Sequence, residues 1–536
     1  MRNNRNKWHG YFVLPALLLA VWVVQPLPAS AQTTSMGVDC STINIPSLMM
    51  QDNMRAGRIL IECGIVQGGQ RTAAGVARKA TAPPNIRVSN GSDCNASDDV
   101  CGSESMVAAS TANKGQTIVV NYNANYNNGL YSGTSYSSNG GKTFTEIQPG
   151  PFNSGHGTNF GDPLVVFNSK LGKFFAGDLV SGGDCGDEGI GLWNSTNGKT
   201  WKTGSCPHVG EADDRPSMWS DNEPTSGTYG RMYISWNDYT TSCGAGGCLF
   251  VTHSDDGVTW STPKQLNTTT FYRDVQITGS PRGAKLIGKD STVFLASMDE
   301  GGGGDNTRQN LMFYSTNGGN TWKQVIIGQR FNPPGNVNCG YFQAVAPIWR
   351  HMGWGEPAVG PNGVVHYDYA GAGTNGDVGD IFYVRSTDNG KTWSKPVKLN
   401  TDKDNQFRTQ WMPSLSATSD GNVTASWYDR RKATSTCNTA GDPGCNYERV
   451  GRQSSTNGAS WESSELTIST AIIAQPLQED GEVQSCYAGD YDYDTALNAA
   501  DAGNSTGTAY VTWTDGRAEV GGTHVESEDF AQVPEP

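Results

Sequence analysis

Past residue 31 the sequence has no apolar run long enough to span a bilayer. Histidine is scarce, at 7 of 536 residues, and no two cysteines share a Cys-x-x-Cys spacing, which argues against a structural zinc centre. Positive charge is short as well: 38 Lys and Arg face 52 Asp and Glu. A formal charge of −14 argues against nucleic acid or an anionic membrane as the main partner, because both require a cationic face. Long helical periods are missing too. Glycine is abundant instead, with 67 residues alongside 15 Trp and 20 Tyr, the composition of an all-β chain with many turns.

Residues 1–31 read as a secretory leader. Arg2, Arg5 and Lys7 precede an apolar run from Tyr11 to Val24, and Ala29-Ser30-Ala31 fits a cleavage site. The chain is therefore expected to be secreted, periplasmic or cell-surface. An even count of twelve cysteines in such a chain points to disulfides. Short loops would be closed by Cys94/Cys101, Cys243/Cys248 and Cys437/Cys445. Cys40/Cys63 and Cys185/Cys206 come next, and Cys339 with Cys486 would join two distant loops.

One octapeptide recurs. Ser386-Thr387-Asp388-Asn389-Gly390-Lys391-Thr392-Trp393 reads as a tight turn whose acid bonds its own backbone and whose glycine takes positive φ. Degraded copies fall at Ser137/Asn139/Gly141/Thr143/Phe144, Asn194/Thr196/Gly198/Thr200/Trp201 and His253/Asp255/Gly257/Thr259/Trp260. Two more fall at Ser315/Asn317/Gly319/Thr321/Trp322 and Ser454/Thr456/Gly458/Ser460/Trp461. Even spacing of this kind marks a repeat architecture. The octapeptides resemble the Asp-box (BNR) repeat of the sialidase superfamily. That resemblance implies a single β-propeller of four-stranded antiparallel blades. It also implies that the box is a structural turn between third and fourth strands, on the face opposite the active site.

Three strands superpose without gaps: Met232–Asp238, Val423–Asp429 and Ala509–Asp515. The last has no box after it, so six boxes accompany seven units, near 101–150, 159–209, 214–267, 274–328, 354–400, 411–470 and 485–529. Seven blades are thus favoured over six, with Ile86-Arg87-Val88-Ser89 supplying the last outer strand. The remaining segments are a small helical cap at 32–67, a Gly/Ala/Thr/Pro-rich linker at 68–84, the propeller at 85–530 and a tail at 531–536.

The entries of the first strands should ring the channel mouth. Aligning the residue before proline, and its counterparts by frame, gives Glu104, Asp162, Arg215, Arg273, Glu356, Met412 and Asp490. Glu104, Asp162, Glu356 and Asp490 are candidate catalytic carboxylates, since dehydrated acids can be tuned apart into acid and base. Arg215 and Arg273 are candidate holders of a carboxylate or sulfate, with Arg430, Arg517, Tyr487 and Tyr491 as further binding candidates. Aromatics in the long loops at 329–353 and 471–489, and Trp354 beside them, suit stacking against sugars. Asp490, Asp492 and Asp494 share one strand face and offer oxygen ligands for calcium, as does Asp299-Glu300 with Asp305. No cofactor is required.

The resemblance implies a sialidase-like glycoside hydrolase acting on a glycan or polysaccharide, as a monomer. The Arg-Ile-Pro signature of sialidases is missing, with Asn44 before Ile45-Pro46. A non-catalytic binding propeller and a polysaccharide lyase on the same fold are the alternatives.

Overall fold

The computed structural model describes residues 33–69, 85–89, 102–125, 131–147, 155–346, 349–403, 408–435, 437, 444–475, 481–520 and 523–536. The leader, the 70–84 part of the linker, and Cys94 with Cys101 lie outside the described residues. The chain is all-β apart from short helices. No described helix is long and apolar enough to cross a membrane.

Among the described residues seven sheets of four or five strands follow in order, six built on antiparallel meanders and the seventh completed by a strand from the N-terminal side; Asp492–Tyr493 adds a parallel strand to the first. Their first strands are Ser103–Ala109, Leu164–Asn168, Asp213–Ser220, Ile277–Gly279, Pro357–Val359, Gln410–Ala417 and Thr495–Leu497. Each first strand lies beside that of the next sheet, and the seventh lies beside the first. A three-stranded insertion at Val337–Cys339, Phe342–Ala346 and Trp349–His351 separates the fourth and fifth sheets. The outer strand of the seventh sheet is Ile86–Arg87, with Ile86 opposite Phe530 and Arg87 opposite Asp529. The strand Thr523–Pro534 stays paired up to Pro534, opposite Thr508, so the expected tail at 531–536 is mostly sheet.

Strict alternation along the second strands turns one face of each into the packing between sheets. Trp236, Trp427 and Trp513 occupy the same position in three sheets and are fully buried. Leu415, Ala425 and Trp427 of the sixth sheet, for instance, pack on Ala358, Ala370 and Ile381 of the fifth.

The octapeptide turns share one hydrogen-bond pattern. Ser386 Oγ accepts from Gly390 N (2.9 Å), and Asp388 Oδ1 accepts from Thr392 N (2.8 Å) and Lys391 N (3.1 Å). Trp393 Nε1 donates to Gly390 O (3.2 Å). Gly390 has φ +79°, and a Cβ there would meet the Phe294 ring at 2.7 Å. Two turns are one residue shorter and differ from the expected frame. Ser195 with Asn197, and Ser254 with Asp256, make the bonds, rather than Asn194/Thr196 and His253/Asp255.

Among the described residues five disulfides form: Cys40–Cys63, Cys185–Cys206, Cys243–Cys248, Cys339–Cys486 and Cys437–Cys445. They fit an extracellular or otherwise oxidising environment. The cap holds two helices, α1 (Ile45–Met50) and α2 (Met54–Glu62). The helix-forming composition of Met49 to Gly64 is interrupted because Gln51 turns extended and Asn53 caps α2, its side chain accepting from Ala56 N (2.8 Å). The break projects Asp52 between the helices. Beyond α2, Gly69 N bonds Val483 O (2.9 Å), so the start of the expected linker is pinned to the 481–489 loop.

Candidate functional site

In six sheets the second strand begins opposite the turn serine: Ile118, Phe174, Met232, Val293, Val365 and Val423 face Ser137, Ser195, Ser254, Ser315, Ser386 and Ser454. This common register identifies equivalent positions in the first strands. The entry residues are Glu104, Asp162, Arg215, Asp274, Trp354 and Met412, with Tyr491 in the seventh sheet. All seven are buried. Five adopt left-handed backbone despite having side chains: Glu104 (φ 43°), Asp162 (59°), Arg215 (50°), Asp274 (64°) and Met412 (48°). Such residues persist only where surrounding structure over-determines them, and they gather at functional sites.

Three positions in the expected ring therefore shift. Arg273 stands one residue before the entry held by Asp274, and Asp490 one before Tyr491. Glu356 lies two residues deeper than Trp354, where it accepts from Leu415 N (2.9 Å) and Ser414 Oγ. The frame slipped because proline does not mark the same place in every sheet; where a bulge separates the first two strands, at Glu104, Arg215 and Met412, the expected entry residue holds its place.

At the mouth, positive groups alternate with aromatic rings. The Arg215 guanidinium lies between Trp354 (3.8 Å to the ring centroid) and Tyr491 (4.7 Å). Arg273 lies near Trp354 (5.0 Å) and Phe342 (5.1 Å), and Arg350 between Phe342 (4.1 Å) and Tyr487 (4.9 Å). The aromatics Phe342, Trp354 and Tyr487 thus flank cations, whereas Trp349 packs into a core with Trp411, Tyr428 and Tyr447.

Asp52 of the cap sits at the centre. Arg215 Nη1 donates to its Oδ2 (2.9 Å), and Arg273 Nη2 stands 2.8 Å from its Oδ1. Arg350 Nη2 donates to its backbone oxygen (2.8 Å) and to Asp490 Oδ2 (2.7 Å). Asn53 Nδ2 donates to Asp214 Oδ1 (2.7 Å) beside them. Burial works to raise the Asp52 carboxyl, but the positive charges of Arg273 and Arg215 outweigh it and hold the group below the usual range.

The other acids move the opposite way. Burial, then the charges of Asp490 and Asp52, push Glu104 well up. Burial and the neighbouring Glu104 do the same to Asp162. Burial lifts Asp274 to about 7 against the pull of Arg215, and raises Asp490 despite Arg350. Asn123 links two of them: its Nδ2 donates to Glu104 Oε2 (2.7 Å) and Tyr487 Oη (2.8 Å), while its Oδ1 accepts from Asp162 N (2.9 Å). The mouth therefore brings carboxyls held towards the neutral form beside one held towards the ionised form and three guanidiniums, a combination suited to acid–base chemistry.

The structure places other expected site residues elsewhere. Arg430 is buried on Trp411, donates to Val345 O (2.7 Å) and Gln475 Oε1 (3.0 Å), and is pulled down by burial to about 9. Arg517 pairs with Asp515 (2.7 Å) and Asp529 (2.8 Å), away from the mouth. Its equivalent in the sixth sheet is Arg431, which folds back on Asp429 in the same way. Asp490, Asp492 and Asp494 do share one strand face, opposite a stacked pair of Tyr491 and Tyr493 (4.4 Å between centroids). Asp490 is taken up by Arg350, while Asp492 bonds Tyr428 and Ser105, Asp494 bonds Ser426, and Arg449 stands near both of the latter (3.6 and 3.9 Å). Asp299 likewise pairs with Arg330, while Glu300 accepts from Trp354 Nε1 (2.7 Å).

Asp52, Asp214, Asp274 and Arg350 were not foreseen. Asp274 was detectable only through the register, and Asp214 only as the neighbour of Arg215. Asp52 and Arg350 belong to no repeat; the single local signal was the Asp52-Asn53 pair breaking a helix-forming segment. Below the mouth the channel widens into a cavity of about 200 Å³ lined by Ser217, Gln276, Glu356, Ser416 and Tyr493. It reaches the first-to-second-strand loops at Asn222 and Arg282, the side where the octapeptide turns lie.

No family model matches the chain, and no curated protein matches it. Several solved structures are similar. A protein of unknown function from Dyadobacter fermentans is 12% identical over 86% of this chain and 100% of its own, with a TM-score of 0.40. An α-L-arabinofuranosidase from Fusarium graminearum, solved with an iminosugar inhibitor, is 12% identical over 84% of this chain and 98% of its own, with a TM-score of 0.41. A polysaccharide lyase, an ulvan lyase bound to -[GlcA(1-4)Rha3S]-, is 12% identical over 87% of this chain and 96% of its own, with a TM-score of 0.42.

Proposed function

We propose that the chain is an exported, glycan-processing enzyme built as one seven-bladed propeller, and that it acts on an acidic sugar at the Arg215/Arg273 mouth. The observation that carries this reading is the bridging of one carboxylate by two buried guanidiniums, directly beside carboxyls that burial pushes towards the neutral form. In a sialidase-like hydrolysis the arginines hold the sugar's acid group, and Glu104 or Asp162 supplies the proton to the leaving oxygen. Tyr487 and Tyr491 face the same space, and burial holds both phenols well above their usual range. The raised phenols favour neutral roles in positioning over attack as phenolates.

The decisive experiment is a panel of sialylated and uronate-bearing glycans offered to the wild type and to Glu104→Gln. Release of a reducing sugar that is lost in the variant supports the hydrolase. An unsaturated uronate product, seen by ultraviolet absorbance, would replace hydrolysis with elimination. Binding without turnover in both proteins would leave a carbohydrate-binding propeller, and neither binding nor turnover would remove the glycan reading altogether.

A further inference from the structure

Arg273 is unusual even among buried arginines. It is wholly inaccessible, yet neither Nε, Nη1 nor Nη2 has an aligned hydrogen-bond partner. Among the described residues its charge is met by the nearby oxygens of Asp52 (2.8 Å) and Asp214 (3.5 Å), with the Glu300 carboxyl as a further influence. A guanidinium offers five donors in a planar fork, and buried against the rings of Phe342 and Trp354 each unmade bond is costly. Asp52 serves this fork poorly because α1 and α2 fix its position and Arg215 claims its second oxygen.

We propose that Asp52 is the chain's own occupant of a carboxylate site formed by Arg215 and Arg273, and that a sugar acid enters by displacing the helical cap. The choice of sugar rests on the function proposed above; the displacement does not. Three features support it. Asp52 is the acid held in the ionised form a ligand would bring, while Glu104, Asp162 and Asp214 around it are held towards the neutral form. Its backbone oxygen and neighbour are gripped as well, by Arg350 and Asp214, so the whole Gln51–Asn53 break is fitted to the mouth. The cap's disulfide, Cys40–Cys63, closes on itself, and among the described residues no disulfide ties it to the sheets. A ligand that must first move the cap binds with an affinity reduced by the fraction of open molecules.

The test uses the full chain, wild type and Asp52→Asn, with N-acetylneuraminic acid and glucuronic acid as probes and their methyl esters as uncharged controls. Hydrogen exchange of the 45–62 amides reads the cap, and calorimetry reads binding. In the wild type either acid should speed exchange of these amides, and the esters should not. In Asp52→Asn the amides should exchange faster without ligand, and the acid should bind at least about tenfold more tightly. Arg273→Met should abolish the acid's effect. Unchanged exchange in the wild type with saturating acid would overturn the proposal even if Asp52→Asn fails to fold, and equal affinity in a folded Asp52→Asn would overturn it too. Cap displacement without glycan turnover would leave this site standing and the enzyme reading refuted; turnover with an immobile cap would do the reverse.

Discussion

The two ends of the sheets obey opposite rules. At the turn end, six loops repeat the same few bonds inside eight residues or fewer, and Ser386, Asp388, Gly390 and Trp393 have counterparts in most of them. At the cap end, equivalent positions carry Glu104, Asp162, Arg215, Asp274, Trp354, Met412 and Tyr491, no more than two of any kind. Repetition at one end specifies a scaffold, because each turn must solve the same local problem. Divergence at the other end, in strained and buried backbone, specifies a site, because each side chain answers to neighbours from other sheets.

The contrast can be broken first at Arg273. Arg273→Met leaves Asp52 with Arg215 as its remaining side-chain counter-charge and takes away the guanidinium beside Asp214, and should cost about 3–5 kcal/mol of stability in denaturant unfolding. A cost no larger than that of a turn substitution would make the two ends energetically alike.

A second difference concerns pH. Asp274 is raised from 3.8 to about 7, so the folded chain keeps a proton there that the unfolded chain has lost. Its contribution is full below the unfolded value and is lost as pH rises towards 7. Asp388 in the turn is the reverse: burial works to raise it, but the bonds from Thr392, Ser386 and Lys391 together bring it down to about 2. Its contribution is present above the unfolded value and is lost as pH falls towards 2. Asp274→Asn should therefore flatten the decline in stability between about pH 4 and pH 7 while leaving the acid limb unchanged. An unaltered slope would place the titration elsewhere, with Asp492 (about 7) and Asp494 (about 6) the next groups to substitute.

The smallest effect belongs to the turns themselves. Asp388→Ala removes bonds made at the surface and should cost about 1 kcal/mol, with no change in ligand binding at the mouth. A larger loss, or any effect on binding, would join the two ends that the structure separates.

This division also governs what could be read from the sequence. The turns and the second strands were legible because their signals are local: a serine, an acid, a glycine and a tryptophan within eight positions, or alternation around Trp236, Trp427 and Trp513. The outer strand at Ile86–Arg87 followed from counting, since the seventh unit lacked a turn. The mouth was legible only where proline followed the entry, at Asp162, Arg215 and Met412, and by frame at Glu104. Elsewhere no proline marked the entry, so Arg273 stood in for Asp274 and Asp490 for Tyr491. Asp52 and Arg350 arrive from a helix break and an inserted loop, and only the folded chain brings them to one point.

The outer strand of the seventh sheet has a consequence for the order in which the molecule assembles. Arg87 meets Asp529 across 442 positions of chain, so the ring of sheets cannot close until nearly all of it is present. Until then the outer edge of the Thr523–Pro534 strand is uncovered, and a bare strand edge is a template for wrong pairing between chains. Closure over so long a separation is intrinsically slow, which makes the last stage of folding, rather than the stability of the finished ring, the point at which this protein is most exposed to aggregation.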